Sequence, residues 1–383
     1  MTGAPAGPTL RRILYVYNNA AFFASHRLGV ARWFSARGVE LHLAAPAPFP
    51  DAAMRGVQCH QWPLERDRLS PPSALRALRG LRGIVAKVRP DLVEFATVLP
   101  ALIGGLATLG RPAPGRVFWI TGLGFAFSGR GPRARLLRTV ARAGYRLVLR
   151  GRHTRVIFEN FRDRELFVQG RLVRADRSTV IPGAGVDLDE FRQAPEPPGE
   201  PVVVLCARML RSKGVGEFIA AAGVLRHRGV AVRLRLVGAP DPANPESLIE
   251  NQLREAAAAA GVEWVGYQAD MPSVLAGSHV ACLPSWAEGT PKALLEAAAA
   301  GRPAIGSDIP GIREVIRPGE TGLLVPARDP GALANAIERL AVDPNLRRAM
   351  GAAARRVAEA EFGLATTAAR VATAYALALE PSG

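Results

Sequence analysis

Cysteine, lysine and aromatic residues are all scarce in this chain of 383 residues. The three cysteines, Cys59, Cys206 and Cys282, are widely separated and are expected in apolar surroundings. That pattern excludes a disulfide framework or a cysteine metal cluster and fits reduced core thiols in a cytosolic protein. Lysine also occurs only three times, so arginine is the default cation. Aromatics make up 6% of the chain. The arginine-rich part lacks interleaved aromatic rings on which bases would stack, so nucleic acid is not an expected partner despite the net charge of +16. Long apolar runs are missing too. The longest, 95–110, is broken by a proline and several glycines and falls short of the roughly 18–20 residues a membrane span needs. It reads as a strand end, a loop and a buried helix. Near the start, the apolar run 13–17 leads straight into Asn18-Asn19, so no signal-peptide core is expected.

Positive charge is what the chain has in excess, and it is unevenly spread. Between Arg130 and Arg177 fourteen arginines face Glu159, Asp163, Glu165 and Asp176, which leaves this stretch at about +10. Arg138, Arg142, Arg146 and Arg150 recur every fourth residue, with Leu136, Leu137, Val140, Ala143, Leu147 and Val148 between them. A basic amphipathic helix of this kind can lie on an anionic membrane surface.

A chain this long exceeds one ordinary core, and apolar runs alternate with helical patterns. Both features predict an α/β protein with parallel sheets in two domains. The first is expected over 11–184, opening with the strand 13–17 and a helix carrying His26. The Pro/Gly-rich segment 193–200 reads as the linker. The second domain is expected over 201–363, with a final helix over 364–380 packing back on the first.

Two segments of the second domain carry chemistry. Val202-Val-Val-Leu-Cys206 reads as a buried strand, followed by Arg208, Lys213-Gly214 and a helix over about 215–228. Arg208 and Lys213 therefore leave a strand-to-helix loop, where doubly wound sheets bind ligands. A planar guanidinium and a compact ammonium at that point suit a diphosphate. Downstream lies Glu288-Gly-Thr-Pro-Lys-Ala-Leu-Leu-Glu296. Thr290 is expected to cap a helix, Pro291 to take its first position, and Gly301 with Pro303 to stop it. The first amides of that helix, from Gly289 to Ala293, are donors at a positive dipole end. Glu288 sits beside them and Glu296 about two turns on. Carboxylates repel phosphate, so these two are expected to face hydroxyl groups. Phosphate and hydroxyls together point to a nucleotide sugar.

Arg208…Lys213-Gly214 with Glu288-x7-Glu296 resembles the donor site of glycosyltransferase family 4, a retaining group with the GT-B fold. The resemblance continues through Val180-Ile-Pro-Gly-Ala-Gly-Val-Asp187, Leu236-Val-Gly-Ala239, Gly306-Ser-Asp-Ile-Pro-Gly311 and Gly322-Leu-Leu-Val-Pro-Ala-Arg-Asp-Pro330. In the first half, Tyr17-Asn18-Asn19, Ser25-His26-Arg27 and Ile120-Thr-Gly122-Leu-Gly124-Phe125 are similar to the branch that builds capsule, O-antigen and lipid-linked oligosaccharides. The resemblance implies two Rossmann-like doubly wound domains facing a central cleft. It also implies transfer, with retention, of a sugar from a nucleotide diphosphate to a polyprenyl-diphosphate-linked saccharide at the inner face of the cytoplasmic membrane. The donor would be a UDP-sugar, with UDP-N-acetylhexosamine among the candidates.

The same resemblance assigns roles. Arg208 and Lys213 would hold the diphosphate and stabilise the charge growing on it, while Glu288 would bind sugar hydroxyls and Glu296 the ribose. Gly289, Thr290, Pro291, Lys292 and Ala293 would touch sugar and phosphate, and Gly238 and Tyr267 would flank the base. Asn18, Asn19, His26, Thr121 and Gly122 would face the acceptor. No protein nucleophile, metal or cofactor is implied. The chain also departs from the family pattern. Asn18-Asn19-Ala20-Ala21 stands in place of a glycine-rich first loop, Glu94 and Leu99 stand where relatives of the branch carry histidine and lysine, and Gly183 replaces a frequent asparagine. Asp187-Leu-Asp189 invites a reading as a Mn²⁺ or Mg²⁺ site, but its place in the Val180 motif favours a helix-capping role. An epimerase acting on a UDP-sugar and a non-catalytic subunit of a polysaccharide assembly remain as alternatives.

Overall fold

The computed structural model describes residues 10–50, 54–65, 70–110, 115–122, 132–242 and 244–380. The chain divides into two compact units, Met1–Ala184 with Ala365–Gly383, and Gly185–Leu364. In the first unit, β1 (Arg12–Val16), β2 (Glu40–Ala45), β3 (Val57–Gln61), β4 (Leu92–Ala96), β5 (Gly115–Ile120), β6 (Thr154–Phe158) and β7 (Ser178–Val180) form a seven-stranded sheet in the order β3-β2-β1-β4-β5-β6-β7. In the second, β8 (Val202–Cys206), β9 (Arg233–Val237), β10 (Glu263–Trp264), β11 (Val280–Leu283), β12 (Ala304–Ser307) and β13 (Gly322–Val325) follow the order β10-β9-β8-β11-β12-β13. Every strand pair is parallel. Parallel strands are joined by helical crossovers that cover both sheet faces, which is why the central strands are continuous apolar runs. Ile13, Leu14, Tyr15 and Val16 in β1 and Val203, Val204 and Leu205 in β8 are all fully buried. Strand order reverses beside β1 in one sheet and beside β8 in the other. These are the switch points at which adjacent loops diverge and leave a crevice.

The first unit encloses a buried polar cluster that the sequence does not announce. Glu94, fully buried in β4, accepts hydrogen bonds from Tyr17 Oη at 2.6 Å and from Tyr375 Oη at 2.5 Å. Burial first, and the Glu94 carboxylate second, push both tyrosine hydroxyls up, so they remain protonated donors. Arg27 lies 3.8 Å from Glu94 and 3.9 Å from Glu159, and its guanidinium stacks 3.3 Å from the centre of the Trp119 ring. Tyr375 belongs to the helix Leu364–Leu379, and its ring also stacks on Phe34 at 5.0 Å. A buried carboxylate needs such partners, because leaving one uncompensated costs about 3–5 kcal/mol.

The segment 193–200, expected to be a linker, is instead part of the second unit. Glu196 meets the Arg347 guanidinium through two bonds of 2.7 and 3.0 Å. Arg302, 2% exposed, donates to Pro195 O at 3.0 Å. Its composition signals irregular backbone, but an ion pair spanning 151 residues pins that backbone to the domain. The chain leaves the first unit at Ala184, and just beyond it Val186 N donates to Phe362 O (2.8 Å) while Leu364 N donates to Val186 O (2.9 Å). Cys59 corrects a second expectation: it lies on the edge strand β3 and is exposed, because β3 pairs on one side only. Cys282 is buried, and burial with the nearby Glu296 pushes the Cys206 thiol up to about 12.

His279 couples this unit to pH. Val202 N–H donates to its Nδ1 at 2.9 Å, so the proton sits on Nε2, which donates to Pro197 O at 3.0 Å. Burial first, then the Arg347 and Arg302 charges, hold its pKa below the ordinary value, against the pull of Glu196. A histidine whose folded pKa is depressed takes up its proton more readily when unfolded. Its stabilising effect is therefore complete above about pH 6.5 and lost as pH falls below that value. Thermal denaturation between pH 7.5 and 5 is expected to show a smaller fall in midpoint for His279→Asn, which keeps an acceptor for Val202 N, than for the unaltered chain.

Candidate active site

The switch point beside β8 gathers the donor-type residues. The loop after β8 runs to Gly214, which starts the helix Val215–His227. Gly214 has φ 75°, and a Cβ there would lie 2.2 Å from Pro284 O in the loop after β11. Only glycine permits that approach. Trp286 N donates to Ser212 O at 2.8 Å, locking the two loops together. Behind them, Trp286 Nε1 donates to Glu217 at 2.8 Å, and Arg328 stacks over the indole at 4.0 Å.

This contact places Lys213 Nζ 2.6 Å from Glu288 Oε1, with both side chains largely shielded. On the following helix Lys292 Nζ lies 2.9 Å from Glu296 Oε1. Lys213 and Lys292 are two of the chain's three lysines, in a protein that otherwise uses arginine. Glu296 is 6% exposed. Burial raises its pKa, Lys292 opposes the rise, and Glu190 adds to it. The helix itself corrects an expectation. It spans Lys292–Ala299 with Pro291 as N-cap, a residue that makes no side-chain capping bond. Pro291 adopts extended backbone (φ −73°, ψ 116°), so the helix starts one residue late and Thr290, largely buried, lies before it. Lys292 and Ala293 amides are thereby left as the leading donors.

Arg208 has its own carboxylate partner: its Nη1 pairs with Asp241 Oδ2 at 2.6 Å, on a loop after β9 that the sequence did not single out. That loop is stitched to the β8 loop by Met209 N to Ala239 O, Arg211 N to Glu246 O and Leu248 N to Met209 O, each 2.9 Å. Ser212 Oγ also donates to Glu246. A pairing that spans 33 residues leaves no local signature, which is why Asp241 was missed. Gly238 and the Tyr267 segment do meet: Gly238 N donates to Gly266 O at 2.8 Å, and Trp264 Nε1 donates to Gly238 O at 2.9 Å. A Cβ on Gly238 would fall 1.8 Å from Ala207 O. Tyr267 is 75% exposed at this rim.

In the first unit, the candidate residues lie at carboxyl ends of strands. Asn18, half-buried, and Asn19 follow β1, and Asn19 Oδ1 caps the helix Ala20–His26 by accepting from Ala21 N and Phe22 N. His26 ends that helix, stacked on Phe22 with its Nδ1 2.6 Å from Ser25 Oγ. Thr121 and Gly122 follow β5 and are half-buried, with Gly122 at φ 135°. Leu123, Gly124 and Phe125 of the same motif lie outside the described residues. Thr97, at the end of β4, has φ 70° and a buried hydroxyl with no hydrogen-bond partner. A β-branched residue in that region is strained, and such strain concentrates at functional sites. Asp187 Oδ1 accepts from Asp189 N and Glu190 N and so caps a turn. Among the described residues, no group of three or more histidine, cysteine, aspartate or glutamate side chains is placed to hold a metal ion. No helix among them is long and apolar enough to cross a membrane.

Comparison with known proteins matches residues 24–190 to the model described as Glycosyltransferase Family 4 and residues 200–343 to that described as Glycosyl transferases group 1. The chain is 26% identical, over 88% of its length and 91% of the relative's, to an N,N'-diacetylbacillosaminyl-diphospho-undecaprenol alpha-1,3-N-acetylgalactosaminyltransferase of Campylobacter jejuni. Among solved structures it resembles a sucrose-phosphate synthase from Thermosynechococcus elongatus (TM-score 0.79, 21% identity, covering 95% and 98% of the two chains). It also resembles Anabaena HepE in complex with UDP and glucose (TM-score 0.73, 18% identity, covering 95% and 99%). With two parallel α/β units and matches spanning both halves, the chain belongs to glycosyltransferase family 4 and has the GT-B fold.

Proposed function

We propose that the chain transfers a sugar, with retention and without a metal, from a UDP-sugar to a polyprenyl-diphosphate-linked saccharide at a membrane surface. One observation carries the donor half of this reading: the Lys213–Glu288 pair at 2.6 Å brings a cation and a carboxylate together at the switch point, beside the amino end of the helix bearing buried Glu296. A diphosphate takes the cation and the helix amides, and hydroxyls take the carboxylates. The Campylobacter relative, named for a diphospho-undecaprenol acceptor, and the UDP complex of HepE support the choice of substrates. The helix Pro132–Val148 supports the membrane half, because it exposes Val140 and Leu147 as well as Arg142 and Arg146. Its stripe is shorter than the sequence implies: Arg138 is half-buried and Arg150 lies beyond the helix end, while the side chains of Leu136 and Leu137 lie outside the described residues.

In this mechanism the bond between the anomeric carbon and the β-phosphate oxygen breaks, and the electron pair leaves with UDP. Lys213 and Arg208 neutralise the charge growing on that phosphate. The acceptor hydroxyl attacks from the same face, and its proton passes to the departing phosphate oxygen. Both cations begin paired to carboxylates, so donor binding must exchange Glu288 and Asp241 for phosphate. The exchange is easy at Arg208, whose exposed pair with Asp241 is worth about 0.2–1 kcal/mol. A charge-assisted bond to phosphate contributes about 1.5–3 kcal/mol and outweighs it.

Release of free UDP from a panel of UDP-sugars, with EDTA present, is expected only when a polyprenyl-diphosphate saccharide is added. Lys213→Ala should lower turnover by about 10²–10³-fold. Glu296→Ala should act mainly on KM, by about tenfold, since a ribose contact is made equally in ground and transition states. Sugar interconversion without acceptor would instead establish an epimerase. Asp241→Asn removes the competing carboxylate and should tighten UDP binding by about two- to fivefold in calorimetry.

A further inference from the structure

A cavity of about 660 Å³ opens in the first unit at the amino ends of β6 and β7, the edge opposite the one bearing Asn18, Thr97 and Thr121. Arg146, Arg150, Arg171, Arg174 and Arg177 line it, and Asp176 is the only acidic lining residue. Three of these arginines are fixed in place. Arg146 donates to Gly170 O at 3.2 Å, Arg177 donates to Gly151 O at 3.1 Å, and Arg174 grips Asp176 with two bonds of 2.9 Å. Arg150 and Arg171 are exposed, and Arg171 has φ 51°, an uncommon backbone for a residue other than glycine.

Capping of the two carbonyls explains Arg146 and Arg177, and the Asp176 pair explains Arg174. Neither explains why Arg150 and Arg171 converge on the same concavity. Five guanidinium groups against one carboxylate repel one another until an anion enters, and low-dielectric walls of Leu149 and Leu172 concentrate that field. A guanidinium fork takes two oxygens of a carboxylate or of a phosphate alike, but the three or more free oxygens of a phosphate can meet two forks at once, which one carboxylate or a chloride cannot. We propose that this cavity binds a phosphate-bearing group, a phosphomonoester or diphosphate, at a site separate from the donor loops of the second unit. The shared chemistry is the phosphate, carried either by a lipid headgroup or by a soluble compound.

Calorimetric titration of the full chain with inorganic pyrophosphate, in an Arg208→Ala/Lys213→Ala background that removes the donor cations, tests the site. Arg150→Gln/Arg171→Gln should weaken binding by about 10- to 100-fold. Arg76→Gln/Arg79→Gln, an equal loss of charge elsewhere on the same unit, should leave it within about twofold. Equal losses in both variants, or in neither, would overturn the assignment. Phenylglyoxal labelling of the unsubstituted chain reads the same question without any variant: pyrophosphate should protect Arg150 and Arg171, and unchanged labelling of both refutes the site. Sedimentation with phosphatidylcholine vesicles, with and without phosphatidylglycerol, separates the sources. Binding to the anionic vesicles that falls in Arg150→Gln/Arg171→Gln assigns the phosphate to a lipid. Vesicle binding that stays while pyrophosphate binding falls assigns it to a soluble ligand. UDP affinity should be untouched by Arg150→Gln/Arg171→Gln, so the transferase reading and this one can fail separately.

Discussion

A parallel sheet has no hairpins, so each strand must reach its neighbour by a crossover, and most strands here hand their carboxyl end to a loop that leads into a helix. Where strand order reverses, two neighbouring loops turn to opposite faces and leave a crevice between them. That constraint acts twice in this chain, beside β1 and beside β8. In the second unit it brings the β8 and β11 loops into register, and Gly214 against Pro284 O closes them to a distance that any side chain would prevent. The Lys213–Glu288 pair follows from that contact.

The site is electrically balanced. Lys213, Lys292 and Arg208 each face a carboxylate, Glu288, Glu296 and Asp241 respectively. Such pairing sets a threshold for binding, since a bound anion must compete with an internal one. The three pairs differ in exposure. Arg208–Asp241 is the most open and so the most readily exchanged, whereas Glu296 is held in a buried setting suited to a fixed contact.

Much of this was legible in the sequence because it is written in local pattern. The strand Val202–Cys206 and the helix start at Val215 appear as an apolar run and a glycine-marked loop, and the structure has both. Arg208, Lys213, Glu288 and Glu296 were legible because their spacing around those elements is fixed by the βα unit. What failed involves contacts between distant residues. Asp241 pairs across 33 residues, Glu196 with Arg347 across 151, and Tyr375 with Glu94 across 281. The late start of the helix at Lys292 failed for another reason. Thr290-Pro291 fits either of two cap registers, and the extended backbone of Pro291 decides between them. Cys59 was misjudged because its flanking Gln58, His60 and Gln61, the polar marks of an exposed edge strand, were given no weight.

The most direct test of the central claim is a crystal structure of the chain with UDP bound. The account predicts diphosphate oxygens within hydrogen-bond reach of Lys213 and Arg208, the ribose on Glu296, and the Lys213–Glu288 and Arg208–Asp241 pairs opened. UDP bound elsewhere, with both pairs still closed, would contradict it.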